Sequence, residues 1–301
     1  MIRRCALLTF AAAGLALASP PAPSHGNTPS YAPANTARPA PSSPTQHAAT
    51  GGQGATHAPG AVSAYDALML LQSGNDRFAS GQPSHPNTDS ARRSETATNG
   101  QQPFAVVLAC ADSRVPVEQI FDRGVGDVFV IRVAGNICDT AEIATIEYGL
   151  EHLNAPLLVV MGHSGCGAVT AAASGGHVEG PLGELLAHIT PAVENAKRVY
   201  PDLQGAAIVP DAIRFNVWQS VEDLLKNSKT SSQLASTGKV KIVGAVYNIE
   251  SGRVQWMGEA PAQNAILAAN NGKTQSLPSA VRKPVAAPAH TANAATPNSH
   301  H

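Results

Sequence analysis

The sequence predicts an α/β fold with a mainly parallel β-sheet flanked by helices, and three observations carry that expectation. Continuous apolar runs at 104–110 (FAVVLAC), 127–135 (DVFVIRVAG) and 156–163 (PLLVVMGH) have the β-branched character of strands buried on both faces. Between the last two, residues 139–153 place Ile143, Ile146, Leu150 and Leu153 at helical spacing, with Asp139 or Thr140 available as the cap. Strand, helix and strand in that order call for a right-handed crossover between parallel strands.

The remaining elements follow in chain order. Leu68, Leu71 and Phe78 mark an amphipathic helix at 65–81, with Gly81 as its stop. Helical segments at 182–189 and 192–200 flank Pro191, and 211–228 is a long helix. Residues 240–249 and 253–258, joined by a turn at Glu250, Ser251 and Gly252, form a hairpin at one edge of the sheet.

The core-forming pattern covers residues 63–260, the size of one domain. Residues 19–62 are mostly Ala, Pro, Ser, Thr, Gly, Asn and His, with Arg38 the only Arg or Lys and no acidic residue. Such a segment buries too little apolar surface to offset its ordering entropy, so it is expected to be a disordered linker. Residues 261–301 return to a similar mixture and are expected to be a disordered tail. Residues 1–18 open with Arg3 and Arg4, continue with a short apolar run and end on Ala16-Leu17-Ala18, the order of a secretory signal. The run is shorter than the roughly 20 residues a membrane span needs. The expectation is therefore an exported protein, periplasmic or secreted, with no stable membrane insertion after cleavage.

A formal net charge of −1, with 20 Lys and Arg scattered along the chain, leaves no electrostatic footprint for nucleic acid. A small neutral or weakly charged ligand fits better. Cleavage would remove Cys5 and leave Cys110, Cys138 and Cys166, and an odd number of cysteines in an oxidising compartment argues against a disulfide framework. At least one thiol then has another task.

Cys110 ends one expected strand and His163 ends another, so both belong to the carboxyl edge where open α/β sheets place their ligands. The stretch GHSGCGAV adds Cys166 three residues after His163, and Gly162, Gly165 and Gly167 permit a tight backbone path there. Two thiolates and one imidazole fit a tetrahedral Zn²⁺ with its fourth position left open, the catalytic pattern, and soft sulfur ligands exclude Mg²⁺ and Ca²⁺. Cys138 has no such partner and reads as a structural thiol. Asp112 and Arg114 follow Cys110 at alternate positions, which point the same way in an extended stretch. Asp112 is then the fourth metal ligand, the partner of Arg114, or each in turn.

The joint motif C-x-D-x-R, G-D-x-F-V-x-R-x-A-G-N and G-H-x-x-C-G resembles the β-class carbonic anhydrases over residues 68–258, in their plant-like branch. The resemblance implies zinc held by Cys110, His163 and Cys166, with Asp112 and Arg114 as the catalytic dyad. The aspartate there either pairs with the arginine, leaving the metal open to water, or swings to the metal and closes it. The same resemblance places Gln101, Phe129, Tyr148 and Gly167 at the substrate pocket, with CO₂ and bicarbonate as substrate and product. It also implies a homodimer or homotetramer with the pocket at the interface. Val133 and Ala111 depart from residues frequent in the family. Two other readings share the motif: a hydrolase of carbonyl sulfide or carbon disulfide, and a non-catalytic zinc module, which the intact Asp112–Arg114 pair disfavours.

Overall fold

Four apolar runs become neighbouring parallel strands, because helices cover both faces of the sheet they form. The computed structural model describes residues 62–274 apart from 177. Its strands are β1 (Ala105–Cys110), β2 (Val128–Val133), β3 (Leu157–His163), β4 (Lys241–Tyr247) and β5 (Val254–Gly258), in the spatial order β2-β1-β3-β4-β5. The first four are mutually parallel and β5 runs antiparallel to β4, closing the edge hairpin expected from the turn at 250–252. The helices are α1 (Ala64–Ala79), α2 (Ser90–Asn99), α3 (Val117–Ile120), α4 (Thr140–Glu147), α5 (Gly167–Ser174), α6 (Gly180–Val199), α7 (Val209–Asn227), α8 (Lys229–Ser236) and α9 (Gln263–Thr274).

Alternation along the strands builds two cores. Val106 and Leu108 of β1 and Leu158 and Val160 of β3 face a layer containing Val217, Val221, Leu224 and Leu225 of α7. Val107 and Ala109 of β1 and Val159 and Met161 of β3 face the other way, onto Leu71 of α1 and onto Phe121. Every residue of β1 and β3 is buried, whereas most of β2, the edge strand, is only partly covered. A third apolar cluster lies past the carboxyl edge of the sheet, where Ile189 and Val193 of α6 meet Ile213 of α7 together with Cys110 and Cys166.

Several expectations are refined. The helical pattern at 139–153 is α4 followed by a wider π turn at Tyr148–His152. Pro191 does not divide two helices but lies inside α6, where burial of Ile189, Ala192, Val193 and Ala196 on both sides of it outweighs the one hydrogen bond that proline removes. The short α3 and α8 were not expected. Neither was α2, which buries no residue and so has no apolar period; it starts where the Asp89 side chain accepts the N–H of Arg92 and ends at Gly100, with φ 79°.

The boundary expected at residue 260 falls too early. Ala260, Gln263 and Leu267 are buried, Ile266 packs beside them, and Asn270 donates to the carbonyl of Leu225 at 2.8 Å. Its apolar residues are too few to read as a helix without the neighbouring surface of α7 and α8. The segments 1–18 and 19–61, and residues 275–301 of the expected tail, lie outside the described residues. Among the described residues, no helix is long and apolar enough to cross a membrane.

Leu267→Ala removes a buried side chain from the main core and is expected to cost about 2–3 kcal/mol of stability. Urea unfolding of the full chain measures this. An unchanged midpoint would show that α9 does not belong to the core.

Candidate metal centre

Adjacent parallel strands end at the same edge, and this brings Cys110 and His163 together. β1 and β3 pair in register from Val106 with Leu158 to Ala109 with Met161, so Cys110 lies one residue and His163 two residues past the last pair on neighbouring strands. The turn after β3 delivers Cys166. Gly165 takes the left-handed conformation there (φ 66°), and Ser164 ties the turn to the β4–β5 hairpin by donating its N–H to the Tyr247 carbonyl (2.8 Å) and accepting the N–H of Ile249 on its hydroxyl (3.0 Å). A side chain at Gly162 would press on Val217 at 2.9 Å, so that glycine serves packing; Gly167 has open space beside it and takes neither role.

The three potential ligand atoms lie within 4.8 Å of one another, and all three residues are buried. Cys110 Sγ and Cys166 Sγ are 4.0 Å apart, close to the roughly 3.8 Å that two zinc–sulfur bonds of about 2.3 Å subtend at a tetrahedral metal. His163 Nδ1 lies 3.0 Å from the Ser164 carbonyl oxygen, which only accepts, so Nδ1 carries the proton. Nε2 is left with its lone pair, buried and, among the described residues, without a hydrogen-bond partner. An unpaired buried nitrogen beside two sulfurs is the donor set of a zinc site, and the residues fit the metal.

Electrostatics prepares one of the two sulfurs to ionise. Cys110 is lowered to about 4, first by the hydrogen bond from the Cys166 thiol and also by the backbone N–H groups of Asp112 and Gly135, against the opposing effect of burial. Cys166 is pushed up by the same hydrogen bond to Cys110 and by burial, as expected when two adjacent sulfurs share one proton. Backbone N–H groups of Ala168 and Val169, in the first turn of α5, oppose that rise. A divalent cation would displace the shared proton. Cys138 sits elsewhere, in the main core, and burial pushes its thiol up, in keeping with a structural role.

Asp112 and Arg114 form a two-pronged pair. Arg114 Nε donates to Oδ1 at 3.0 Å and Nη2 to Oδ2 at 2.8 Å, and the Arg114 backbone N–H adds a third bond to Oδ1 at 2.9 Å. This guanidinium, first among the causes, holds the Asp112 carboxyl well below the usual carboxylate range. Asp112 Oδ2 is 3.9 Å from His163 Nε2, so the carboxylate borders the ligand cluster while turned toward arginine.

The structure does not bring Gln101, Phe129 and Tyr148 to the triad of the same chain. Phe129 pairs with Val106, four residues before Cys110, which places it about 13 Å back along the sheet. Its ring packs on that of Tyr148 at 5.9 Å between centroids, and Gln101 lies before β1, at the same end of the sheet. Gly167, by contrast, directly follows Cys166 and lies open at the site.

Arg132 is a supporting residue to which the sequence reading assigned no role. Its guanidinium donates to the carbonyls of Cys110 (Nε, 3.1 Å) and Asp112 (Nη2), so one side chain from β2 holds both ends of the segment that carries a ligand and the dyad acid. A lone charge within the apolar run VFVIRV was the signal.

Comparison with known proteins agrees with this geometry. A carbonic anhydrase family model matches residues 105–254. Carbonic anhydrase 2 of Mycobacterium tuberculosis is 38% identical over 195 residues, covering 62% of this chain and 89% of the relative. The carbonic anhydrase of Mycolicibacterium smegmatis is 38% identical over 193 residues, covering 63% and 91%. Among solved structures, a tetrameric β-carbonic anhydrase of Sordaria macrospora superposes with a TM-score of 0.52 at 26% identity, covering 64% of this chain and 97% of that one. The β-carbonic anhydrase CcaA gives 0.52 at 26% identity, covering 64% and 99%.

His163→Ala and Cys166→Ala should each lower zinc affinity by at least tenfold, whereas Cys138→Ala should leave it unchanged. Competition with a chromophoric chelator measures all three. Zinc lost from Cys138→Ala and retained by Cys166→Ala would reverse the ligand assignment.

Proposed function

Because this chain belongs to the β-class carbonic anhydrase family, we propose that it catalyses the reversible hydration of carbon dioxide to bicarbonate and a proton, with one zinc ion per chain. The observation that carries the proposal is the buried Cys110–His163–Cys166 cluster, whose unpaired Nε2 lies beside an Asp112 carboxylate already engaged by Arg114. A zinc ion held by these residues supplies Lewis acidity that makes water nucleophilic near neutral pH.

The chain's own groups then have separate tasks. Cys110, His163 and Cys166 hold the metal, and the Ser164 carbonyl keeps Nε2 as the ligating nitrogen. Asp112, ionised and turned to Arg114, offers an acceptor that orients a water at the open side of the cluster. Its carboxyl is too acidic to keep a proton near neutrality, so the proton passes to buffer. Arg114, whose side chain is 56% exposed, prevents the carboxylate from taking the open position and gives the mouth a positive charge for the outgoing anion.

The pocket residues of the plant-like branch enter this reading through a second copy of the chain. Gln101, Phe129 and Tyr148 lie away from their own triad, Tyr148 is 47% exposed, and Phe129 is on the partly covered edge strand. Homodimers or homotetramers in which these side chains close the partner's site account for that exposure, and a relative of the same fold is tetrameric. Export belongs to the proposal as well, on the strength of the charged start, apolar run and Ala16-Leu17-Ala18 of residues 1–18. N-terminal sequencing of the exported protein should find a start near Ser19, and an intact Met1 on cytoplasmic protein would refute it.

Arg114→Ala tests the function. Guanidinium cannot ligate a cation, so bound zinc should remain near one per chain while stopped-flow CO₂ hydration falls by at least 100-fold. Full zinc with turnover like that of the unaltered protein would remove the gating role. An unaltered protein that hydrolyses carbonyl sulfide and does not hydrate CO₂ would replace the proposed reaction.

A further inference from the structure

Behind the metal cluster, the long helix α7 carries two polar side chains on an otherwise apolar face. Asn216 and Ser220, one helical turn apart, are both about 1% exposed and sit among Ile213, Val217, Val221 and Leu224. Neither belongs to the motifs around the three ligands. Both reach the turn that follows β2. Asn216 Nδ2 donates to the Gly135 carbonyl at 2.7 Å, and the Ser220 hydroxyl donates to the Asn136 carbonyl at 2.8 Å.

That turn has an unusual shape and one consequential donor. Gly135 (φ 69°) and Asn136 (φ 44°) are both left-handed, and a side chain at Gly135 would meet Ile189 Cδ1 at 2.5 Å. Gly135 and Asn136 are buried, so the turn's carbonyls need hydrogen-bond partners there. On the opposite side of the same residue, the Gly135 N–H donates to Cys110 Sγ at 3.3 Å. A shift of the Gly135 carbonyl therefore moves the N–H that meets the sulfur. Among the described residues, Asn216 Oδ1 and Asn136 Nδ2 are buried without hydrogen-bond partners.

We propose that Asn216 and Ser220 are positioning residues for the reaction, holding the Gly135 N–H on the Cys110 sulfur and thereby setting how much charge that sulfur gives the metal. The inference rests on Cys110 being a ligand of the catalytic zinc. Two thiolates bring two negative charges to a doubly positive ion, which blunts its Lewis acidity, and an N–H on one sulfur withdraws part of that donation. Loss of the bracket makes Cys110 a stronger donor and the metal a weaker acid.

The test uses the full chain with zinc, for activity, and with cobalt(II) in its place, for the sulfur-to-metal charge-transfer band. Asn216→Ala is expected to move that band to longer wavelength and to lower kcat/KM for CO₂ hydration by about tenfold or more. Ser220→Ala, which removes one oxygen, should move both in the same direction and makes the same test if Asn216→Ala does not fold. Val221→Ala, a cavity on the same helix that removes no hydrogen bond to the turn, should lower stability and leave the band where it was. Folded Asn216→Ala or Ser220→Ala with an unmoved band and full kcat/KM would overturn the proposal, and so would an equal shift in Val221→Ala. An unaltered chain that takes up cobalt without a thiolate band would instead overturn the zinc assignment, and this inference with it.

Discussion

The parallel pairing of Ala105–Cys110 with Leu157–His163 is the constraint on which the rest of the molecule depends. Both strands are buried on both faces, so their register is specified by two cores at once. A slip of one residue would exchange the faces of every side chain, separating the Cys110 sulfur from the His163 ring. The metal site is thus a consequence of the sheet's hydrophobic pattern, and the short turn to Cys166 adds the last ligand where β3 hands over to α5.

A site made this way gathers negative charge in an apolar setting, and the chain answers with donors from four directions. The first turn of α5 faces Cys166, the Gly135 N–H meets Cys110, Arg114 grips Asp112, and Arg132 holds the carbonyls of Cys110 and Asp112. The groups differ in exposure. The three ligands are no more than 4% exposed, whereas the Arg114 side chain is 56% exposed. Holding and activating a metal requires the first condition, and exchanging a small substrate and an anionic product requires the second.

The strands and the ligand set were legible in the sequence because each depends on a local signal: continuous apolar runs, and thiol and imidazole groups at the runs' ends. Other features were not. α2 has no apolar face to produce a period, and α9 becomes helical against α7 and α8 with only a few apolar residues of its own. The resemblance placed Gln101, Phe129 and Tyr148 in the pocket without saying which copy of the chain they would serve, and the strand register keeps them from their own triad. Asn216 and Ser220 are distant in sequence from Gly135 and Asn136, and only the fold shows that they meet.

The central claim is that Cys110, His163 and Cys166 together hold the catalytic metal, and X-ray absorption at the zinc edge of the active, full-length protein tests it most directly. The account predicts two sulfur scatterers at about 2.3 Å with one imidazole nitrogen and one further light atom at about 2.0–2.1 Å. A shell of light atoms alone, or of four sulfurs, in protein that hydrates CO₂ would contradict it.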